Sequence, residues 1–144
     1  MAKIYILLGH SLGGAMAILA AARCARLPET ANPAGLYTYG SPKVGNKTYA
    51  SYVKNFFIPG ARWVNNVDIV TKVPLWPYKH TSHSTYLNHE GFVKKYTNTQ
   101  VIIDRLKGAI IGLRRGKINY FLNHGCQKYI DNIQKNIKYN ESGE

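Results

Sequence analysis

The stretch Ile4-Tyr-Ile-Leu-Leu-Gly-His-Ser-Leu-Gly-Gly-Ala15 combines an apolar strand, a tight turn and the start of a helix. Its turn fits the pattern G-x-S-x-G, with Gly9, His10 and Gly13 around Ser11. A serine on such a turn is held in a strained backbone conformation that lifts its hydroxyl clear of the sheet. Glycine two positions before and after the serine lets strand and helix approach closely. We therefore predict a nucleophile elbow with Ser11 at its apex.

The helix after this turn bears on the chemistry of the elbow. Its first N–H groups and the positive end of its dipole suit a developing oxyanion, and the Leu12 N–H is the donor that the elbow supplies. Residues 15–22 are small and form helices readily. The alternative is a glycine-rich strand–helix turn that only packs.

Charge is the least ordinary bulk property of these 144 residues, which are enough for one domain. Lysine and arginine number 19 against 7 acidic residues, and the formal net charge is +12. Such an excess favours anionic partners, either nucleic acid or acidic lipid, although a merely soluble surface explains it equally well. No recognition motif for nucleic acid is present in the sequence, which makes that partner the less favoured one.

The sequence predicts neither a disulfide framework nor a membrane span. Cys24 and Cys126 are the two cysteines, and Cys24 falls in the small-residue helix, where a packed thiol is expected. No run approaches the roughly 18 apolar residues of a spanning helix. The N-terminus leads straight into the serine turn and does not read as a secretory signal. We expect a cytoplasmic protein or one peripheral to membranes.

Strands and helices alternate along the chain, which favours an α/β fold with a parallel sheet. A short strand or hairpin is expected within 80–89, residues 1–139 are assigned to one domain, and residues 140–144 to a flexible tail. The predicted strands are 3–8, 35–40 and 61–67, and the predicted helices are 12–27, 47–57, 101–113 and 125–137.

A serine nucleophile needs a histidine base and an acid that orients it. Asp68 directly follows the third predicted strand, at the sheet edge where α/β folds place catalytic groups. Glu29 lies too near the far end of the serine helix. Asp104 and Asp131 lie inside predicted helices, where a solvated face is the easier explanation. Asp68 is the predicted acid.

The base has five candidates. His10 sits in the elbow beside the serine, and the histidines at 80, 83 and 89 follow Asp68 closely. His124 precedes the last predicted helix, a position from which a side chain can reach both serine and acid. We predict His124 as the base. His80 is either a polar group near the site or a satisfied loop histidine.

Three segments together resemble the class 3 (fungal-type) lipases, a branch of the α/β-hydrolase superfamily. They are residues 9–14 (GHSLGG), 38–46 (TYGSPKVGN) and 64–74 (VNNVDIVTKVP). The resemblance implies that Ser11, Asp68 and His124 form the triad and that Tyr129 belongs to the setting of the histidine. It also matches His80 to a histidine of the family that is not the base. No metal or organic cofactor is implied.

The resemblance also implies a longer protein. Members of the family carry a long segment before the elbow strand, with further strands, a lid and a second oxyanion donor. This chain therefore corresponds to a partial α/β-hydrolase fold with a short, mainly parallel sheet flanked by helices. The elbow strand, central in the family, would then expose an apolar edge. We expect poor solubility, self-association through strand addition, or completion by another segment. Asn123-His124-Gly125 also departs from the acidic residue often found beside the histidine of the family.

Three functions follow from these residues. The first is a carboxylic ester hydrolase of the lipase class that acts on lipid or small esters through an acyl-enzyme. The second is a truncated, catalytically silent remnant that serves as a basic lipid-surface binding module. The third is a basic surface protein acting on membranes or nucleic acid, whose charges crowd at Lys94, Lys95, Arg105, Lys107, Arg114, Arg115 and Lys117.

One apolar segment, Val73-Pro-Leu-Trp-Pro-Tyr78, is left open. It could line an acyl site or touch lipid, or it could be a packed crossover loop.

Overall fold

The computed structural model describes residues 3–27, 29, 31–114 and 123–142. Strands and helices alternate in its first half, and the last two helices follow the sheet. This order confirms the predicted α/β class. The elements are β1 (Lys3–His10), α1 (Leu12–Ala25), β2 (Ala31–Tyr39), α2 (Lys47–Lys54), β3 (Gly60–Asn65), a 3-10 turn (Val70–Lys72), β4 (Ser84–Leu87), α3 (Asn98–Arg114) and α4 (Cys126–Ser142).

The strands form one sheet in the order β1-β2-β3-β4. The β1–β2 pair is parallel, from Lys3 opposite Ala31 to His10 opposite Tyr39. Among the described strands β1 is therefore at an edge, and its side chains at Ile4, Ile6 and Leu8 are exposed. This matches the apolar edge expected from the sequence, and the self-association derived from that edge remains a prediction.

The chain divides into two units, and the first comprises residues 1–62 and 70–84. Its core centres on Ile18 and Ala22 of α1 and Val53 of α2. Small residues on the inner face of α1 let the helix lie close to its neighbours, as the run at 15–22 predicts. Side chains of Leu36, Val44, Tyr49 and Phe56 pack against this core.

The second unit comprises residues 63–69 and 85–144. Much of its interior is polar. Tyr129 and Asn132 are the buried residues of α4, while Asp104 of α3 is buried together with Asn65, Asn66 and Asp68. Buried polar groups need hydrogen-bond partners, so this unit depends on the networks described below.

Several element boundaries differ from the sequence expectation. β2 begins at Ala31, inside the predicted loop, and α2 ends at Lys54 rather than at residue 57. Phe57 has a φ of 50°, a left-handed conformation that no helix continues. α4 extends through Ser142, into the segment for which the sequence predicts a tail. Among the described residues, no helix is both long and apolar enough to cross a bilayer.

Candidate active site

The turn between β1 and α1 has the geometry expected of a nucleophile elbow. Ser11 has φ 56° and ψ −130°, a region that side-chain-bearing residues rarely occupy. Its N–H donates to the Tyr39 carbonyl at 2.9 Å, which fastens the turn to β2. The strained backbone predicted from G-x-S-x-G is confirmed.

The glycines around Ser11 act differently from the expectation in one respect. A Cβ at Gly9 would lie 2.3 Å from the Gly13 carbonyl oxygen, so only glycine fits there. A Cβ at Gly13 would meet nothing within 4 Å, so the predicted need for glycine at position 13 is wrong, although the backbone of Gly13 does lie close to Gly9. Gly14 takes that role, since its Cβ would lie 2.8 Å from the Ser41 Cβ. The G-x-S-x-G pattern does not include Gly14, because the need for glycine there depends on which face of α1 packs against Ser41.

Leu12 is the first residue of α1. The first N–H groups of a helix have no acceptor within the helix. The Ser11 carbonyl accepts from Gly14 N at 3.0 Å and Ala15 N at 3.3 Å, which starts the helical ladder after Leu12. The Leu12 N–H, the predicted oxyanion donor, therefore lies at the N-terminus of α1, and His10 is the last residue of β1.

In the second unit, Asp68 and His124 are brought together across 56 residues of sequence. His124 Nδ1 lies 3.0 and 3.1 Å from the two carboxylate oxygens of Asp68. Asp68 is 1% exposed, so its charge is withheld from water and directed to the imidazole. A carboxylate at Nδ1 stabilises the tautomer that carries its proton there and leaves Nε2 as the basic atom.

Tyr129 fixes the carboxylate from its other side. Its hydroxyl donates to Asp68 Oδ2 at 2.7 Å and accepts from the Asn65 N–H at 3.0 Å. The Asn65 side chain in turn donates to the Asn123 carbonyl at 2.9 Å and accepts from Asn132 Nδ2 at 2.9 Å. Asn65 thus joins the end of β3, the residue before His124 and α4. Sequence reasoning missed Asn65, whose only signal was an asparagine pair at a strand end, and Asn132, which lies within α4 and gave no signal.

A second buried acid–histidine pair was also missed. Asp104 is 4% exposed, and the solvated helix face predicted for it is wrong. His89 Nδ1 lies 2.5 Å from Asp104 Oδ1, and the Tyr86 hydroxyl donates to Asp104 Oδ2 at 2.8 Å. Asn66 Nδ2 donates to the same carboxylate. Asp104 is buried because the residues after β3 and β4 pack against α3, a long-range contact that helical spacing does not reveal.

The pKa values of Asp104 and Tyr86 are shifted by their shared hydrogen bonds and burial. Burial alone would raise the pKa of Asp104, but hydrogen bonds from His89, Tyr86 and Asn66 together hold it below its ordinary value. Burial, reinforced by Asp104, raises the pKa of Tyr86. Arg105 donates to the Asn66 carbonyl at 3.1 Å and lies 5.7 Å from the centre of the Tyr86 ring. Arg105 is therefore a structural cation in this network rather than a free charge of the basic segment.

His80 lies in the first unit and lacks an acidic partner among the described residues. Its Nε2 is 2.7 Å from the Thr71 carbonyl, and its buried Nδ1 has no hydrogen-bond partner in the described structure. Burial, together with the nearby charge of Arg62, lowers the pKa of His80 to about 4. The structure thus makes it a neutral, half-buried histidine. His83 is exposed.

The predicted residues are divided between the two units. Ser11, Leu12 and His80 belong to the first, and Asp68 and His124 to the second. Arg115 and Lys117 lie outside the described residues. Within the described ranges, no group of three His, Cys, Asp or Glu side chains could hold a metal ion. A strained serine and a buried acid–histidine pair are the parts that acyl transfer requires.

Comparison with known proteins agrees with this chemistry. Residues 2–78 match the family described as Lipase (class 3), which is more than half of the chain. The chain belongs to the class 3 lipase family. It is 37% identical over 99 residues to secreted mono- and diacylglycerol lipase 1 of Fusarium solani, an alignment that covers 67% of this chain and 29% of that protein.

Solved lipase structures share the fold. The lipase of Rhizopus microsporus var. chinensis superposes with a TM-score of 0.53 at 38% identity, over 57% of this chain and 30% of that one. A triacylglycerol lipase described as having a serine protease triad as its catalytic centre gives 0.52 at 35% identity, over 57% and 32%. The chain has a partial α/β-hydrolase fold and spans about a third or less of these relatives.

Proposed function

We propose that this class 3 lipase chain hydrolyses carboxylic esters through an acyl-enzyme on Ser11, with His124 as general base and Asp68 as the orienting acid. The observation that carries the proposal is the contact between His124 Nδ1 and the buried Asp68 carboxylate. A fully desolvated carboxylate at this nitrogen supports an imidazole whose Nε2 accepts a proton. The strained backbone at Ser11 supports the choice of this serine as the nucleophile.

The proposed reaction has two balanced halves. Ser11 Oγ attacks the ester carbonyl as its proton passes to His124 Nε2, and the carbonyl oxygen becomes an oxyanion facing the Leu12 N–H. Collapse breaks the bond to the alkoxy group, which leaves as an alcohol with the proton from His124. Water then attacks the acyl-serine by the same route, giving a carboxylic acid and free Ser11. No cofactor takes part.

The substrate class is proposed from the relatives. The relative from Fusarium solani is named as a mono- and diacylglycerol lipase, and other relatives are named simply as lipases. We therefore propose acylglycerol esters as the substrates of the site. A lipid substrate also accords with the exposed apolar side chains of the first unit.

Fluorophosphonate labelling followed by intact mass measurement tests this function, because the probe reacts with an activated serine whatever the substrate. We expect one adduct on the wild-type protein, and none on Ser11→Ala. The exposed Ser51 on α2 provides the matched control, since Ser51→Ala should label like the wild type.

Two results would contradict the proposal. One is an adduct that persists in Ser11→Ala. The other is a folded wild-type protein that takes no label, which would favour the catalytically silent binding module instead. Turnover of a soluble short-chain ester by the same samples provides a second readout, and Ser11→Ala should lower it by on the order of 10⁶-fold.

A further inference from the structure

Helix α3 presents an apolar stripe to water, called the α3 stripe below. It consists of four side chains that are between 48% and 62% exposed: Ile103, Leu106, Ile110 and Leu113. Their spacing of three, four and three residues places them on one face of the helix. Helices of globular domains turn such a face toward the core, whereas here it faces water. An exposed apolar face of this kind marks an interaction surface.

The opposite side of α3 is polar and is fastened to the rest of the second unit. Asp104 is buried and accepts hydrogen bonds from Asn66 and Tyr86. Asn66 Nδ2 also donates to the Asp104 carbonyl at 3.0 Å. A Cβ at Gly108, one turn later, would collide with the Asn66 side chain, so glycine lets the helix approach this closely. Because α3 cannot turn its stripe inward without breaking these contacts, the stripe is a fixed outer surface.

The residue types of the α3 stripe identify its partner. In the heptad notation abcdefg, Ile103 and Ile110 occupy position a, and Leu106 and Leu113 occupy position d. Isoleucine at a with leucine at d is the combination that favours a two-stranded parallel coiled coil, and a second copy of the chain offers the same seam. A helix of two heptads is marginal in isolation, but α3 is already folded and anchored, so the pair does not have to nucleate it.

Charge on the flanks of the α3 stripe agrees with a parallel pair. Position e on one flank holds the exposed Lys107, while position g on the other flank holds Ile102 and Ala109. In a parallel pair, position e of one copy lies beside position g of the other, so the lysine stem covers apolar side chains and its ammonium stays in water. An antiparallel pair would instead bring the two copies of Lys107 together, and their like charges would repel.

We propose that two copies of this chain associate through their α3 stripes as a parallel pair about a two-fold axis, with Leu106 of both copies meeting on that axis. A seam of two heptads is smaller than the roughly 800 Å² per partner of a standard interface, so we expect a dissociation constant on the order of micromolar. Because each copy carries a formal net charge of +12, added salt should screen the repulsion and strengthen the pair. The pairing does not depend on the proposed ester hydrolysis.

Disulfide trapping in the full chain tests the contact and its direction. The background is Cys24→Ala with Cys126→Ala, which removes both native cysteines. Leu106→Cys should then form a covalent dimer under mild oxidation, because position d faces its own copy in a parallel pair. Ile111→Cys is the matched control, since residue 111 is exposed on the same helix but lies off the stripe, and this variant should remain monomeric.

Sedimentation equilibrium of the reduced protein with its native cysteines measures the strength of the pair. Leu106→Gln should weaken dimerisation by about tenfold or more, because a polar side chain enters the seam from both copies. Leu8→Gln on the edge strand β1 should leave the dissociation constant unchanged, although Leu8, at 69%, is more exposed than Leu106. Both changes are on the surface, so far-UV circular dichroism should match the wild type. Added sodium chloride should tighten the wild-type dimer.

Three results would overturn the proposal. One is a wild-type protein that stays monomeric at all concentrations tested. Another is a dimer that Leu106→Cys does not trap, or traps no faster than Ile111→Cys. The third is a dimer that Leu8→Gln weakens and Leu106→Gln does not, which would place the contact on β1. Trapping and sedimentation require no turnover, so a failure of Ser11 to take the fluorophosphonate label would bear on the ester hydrolysis alone.

Discussion

The second unit contains two acid–histidine–tyrosine arrangements built in the same way. In one, Asp68 meets His124 Nδ1 and the Tyr129 hydroxyl; in the other, Asp104 meets His89 Nδ1 and the Tyr86 hydroxyl. Both carboxylates are buried. Two consecutive asparagines at the end of β3 each donate a hydrogen bond to one arrangement: Asn65 to Tyr129 and Asn66 to Asp104.

The two arrangements differ in what surrounds the carboxylate. Asp104 also accepts from the His89 backbone N–H, at 3.1 Å, and from Asn66, and Arg105 lies over the Tyr86 ring. This network ties α3 to the residues after β3 and β4. Asp68 follows the end of β3, and its histidine lies on the turn that leads into α4. We propose that the Asp104 arrangement has a structural role, whereas the catalytic role proposed above belongs to Asp68.

Replacement of the two acids should separate these roles most strongly. Asp68→Asn should lower kcat by about 10⁴-fold, because the amide stabilises the wrong tautomer of His124. Asp104→Asn should leave kcat per folded molecule close to the wild-type value. Hydrolysis of a soluble ester, normalised to the folded fraction, measures both. A loss of similar size in the two variants would mean that the division of roles is wrong.

The free energy of unfolding should depend strongly on Asp104. Asp104→Asn should lower the free energy of unfolding by about 3 kcal/mol, because it removes a buried charge from three side-chain partners. The exposed Asp131, which accepts from Gln127 at 2.8 Å on α4, is the matched control. Asp131→Asn should change stability by no more than about 0.5 kcal/mol. Urea denaturation measures the difference, and equal effects would refute the buried network.

The sequence predicted what is encoded locally. The elbow depends on a few adjacent residues, and its strained serine was found where G-x-S-x-G placed it. Asp68 was singled out because it follows a strand end, which is also a local feature. Pairing with His124 could be suggested from chain order alone, and the structure supplies the contact.

What the sequence missed depends on contacts between distant residues. Asp104 falls within a helix, and nothing in its neighbourhood shows that Asn66, 38 residues earlier, packs against it. The same holds for Gly14, whose need for glycine comes from Ser41 rather than from the G-x-S-x-G pattern. Exposure of Trp76 likewise required the structure, because an apolar sequence alone predicts burial at least as readily.

Tyr129 and Tyr86, the tyrosines of the two arrangements, can be compared in the same way. Tyr129→Phe and Tyr86→Phe should each lower the free energy of unfolding by about 2 kcal/mol, because each removes a hydroxyl that donates to a buried carboxylate and accepts from an asparagine. Only Tyr129→Phe should also lower kcat, since its hydroxyl positions Asp68. Denaturation and ester turnover of the two variants provide the test. A drop in kcat for Tyr86→Phe alone would reverse the assignment.

His80, a half-buried histidine without an acidic partner among the described residues, should make stability depend on pH. Its pKa of about 4 lies below the unfolded value of 6.5, so the folded state stays neutral while the unfolded state takes up a proton. Stability from this group is complete above pH 6.5 and falls as the pH decreases toward 4. Allowing for its partial exposure, the loss should be about 2 kcal/mol.

Comparison of His80→Gln with the wild type isolates the contribution of His80 to the pH dependence of stability, because the other histidines contribute equally to both proteins. The difference in unfolding free energy between the two should narrow by that amount as the pH falls from 6.5 to 4. His83→Gln, at an exposed site, should instead run parallel to the wild type. If His80→Gln also ran parallel, His80 would be charged in the folded protein, and a buried histidine in this chain would not need an acid to hold its proton.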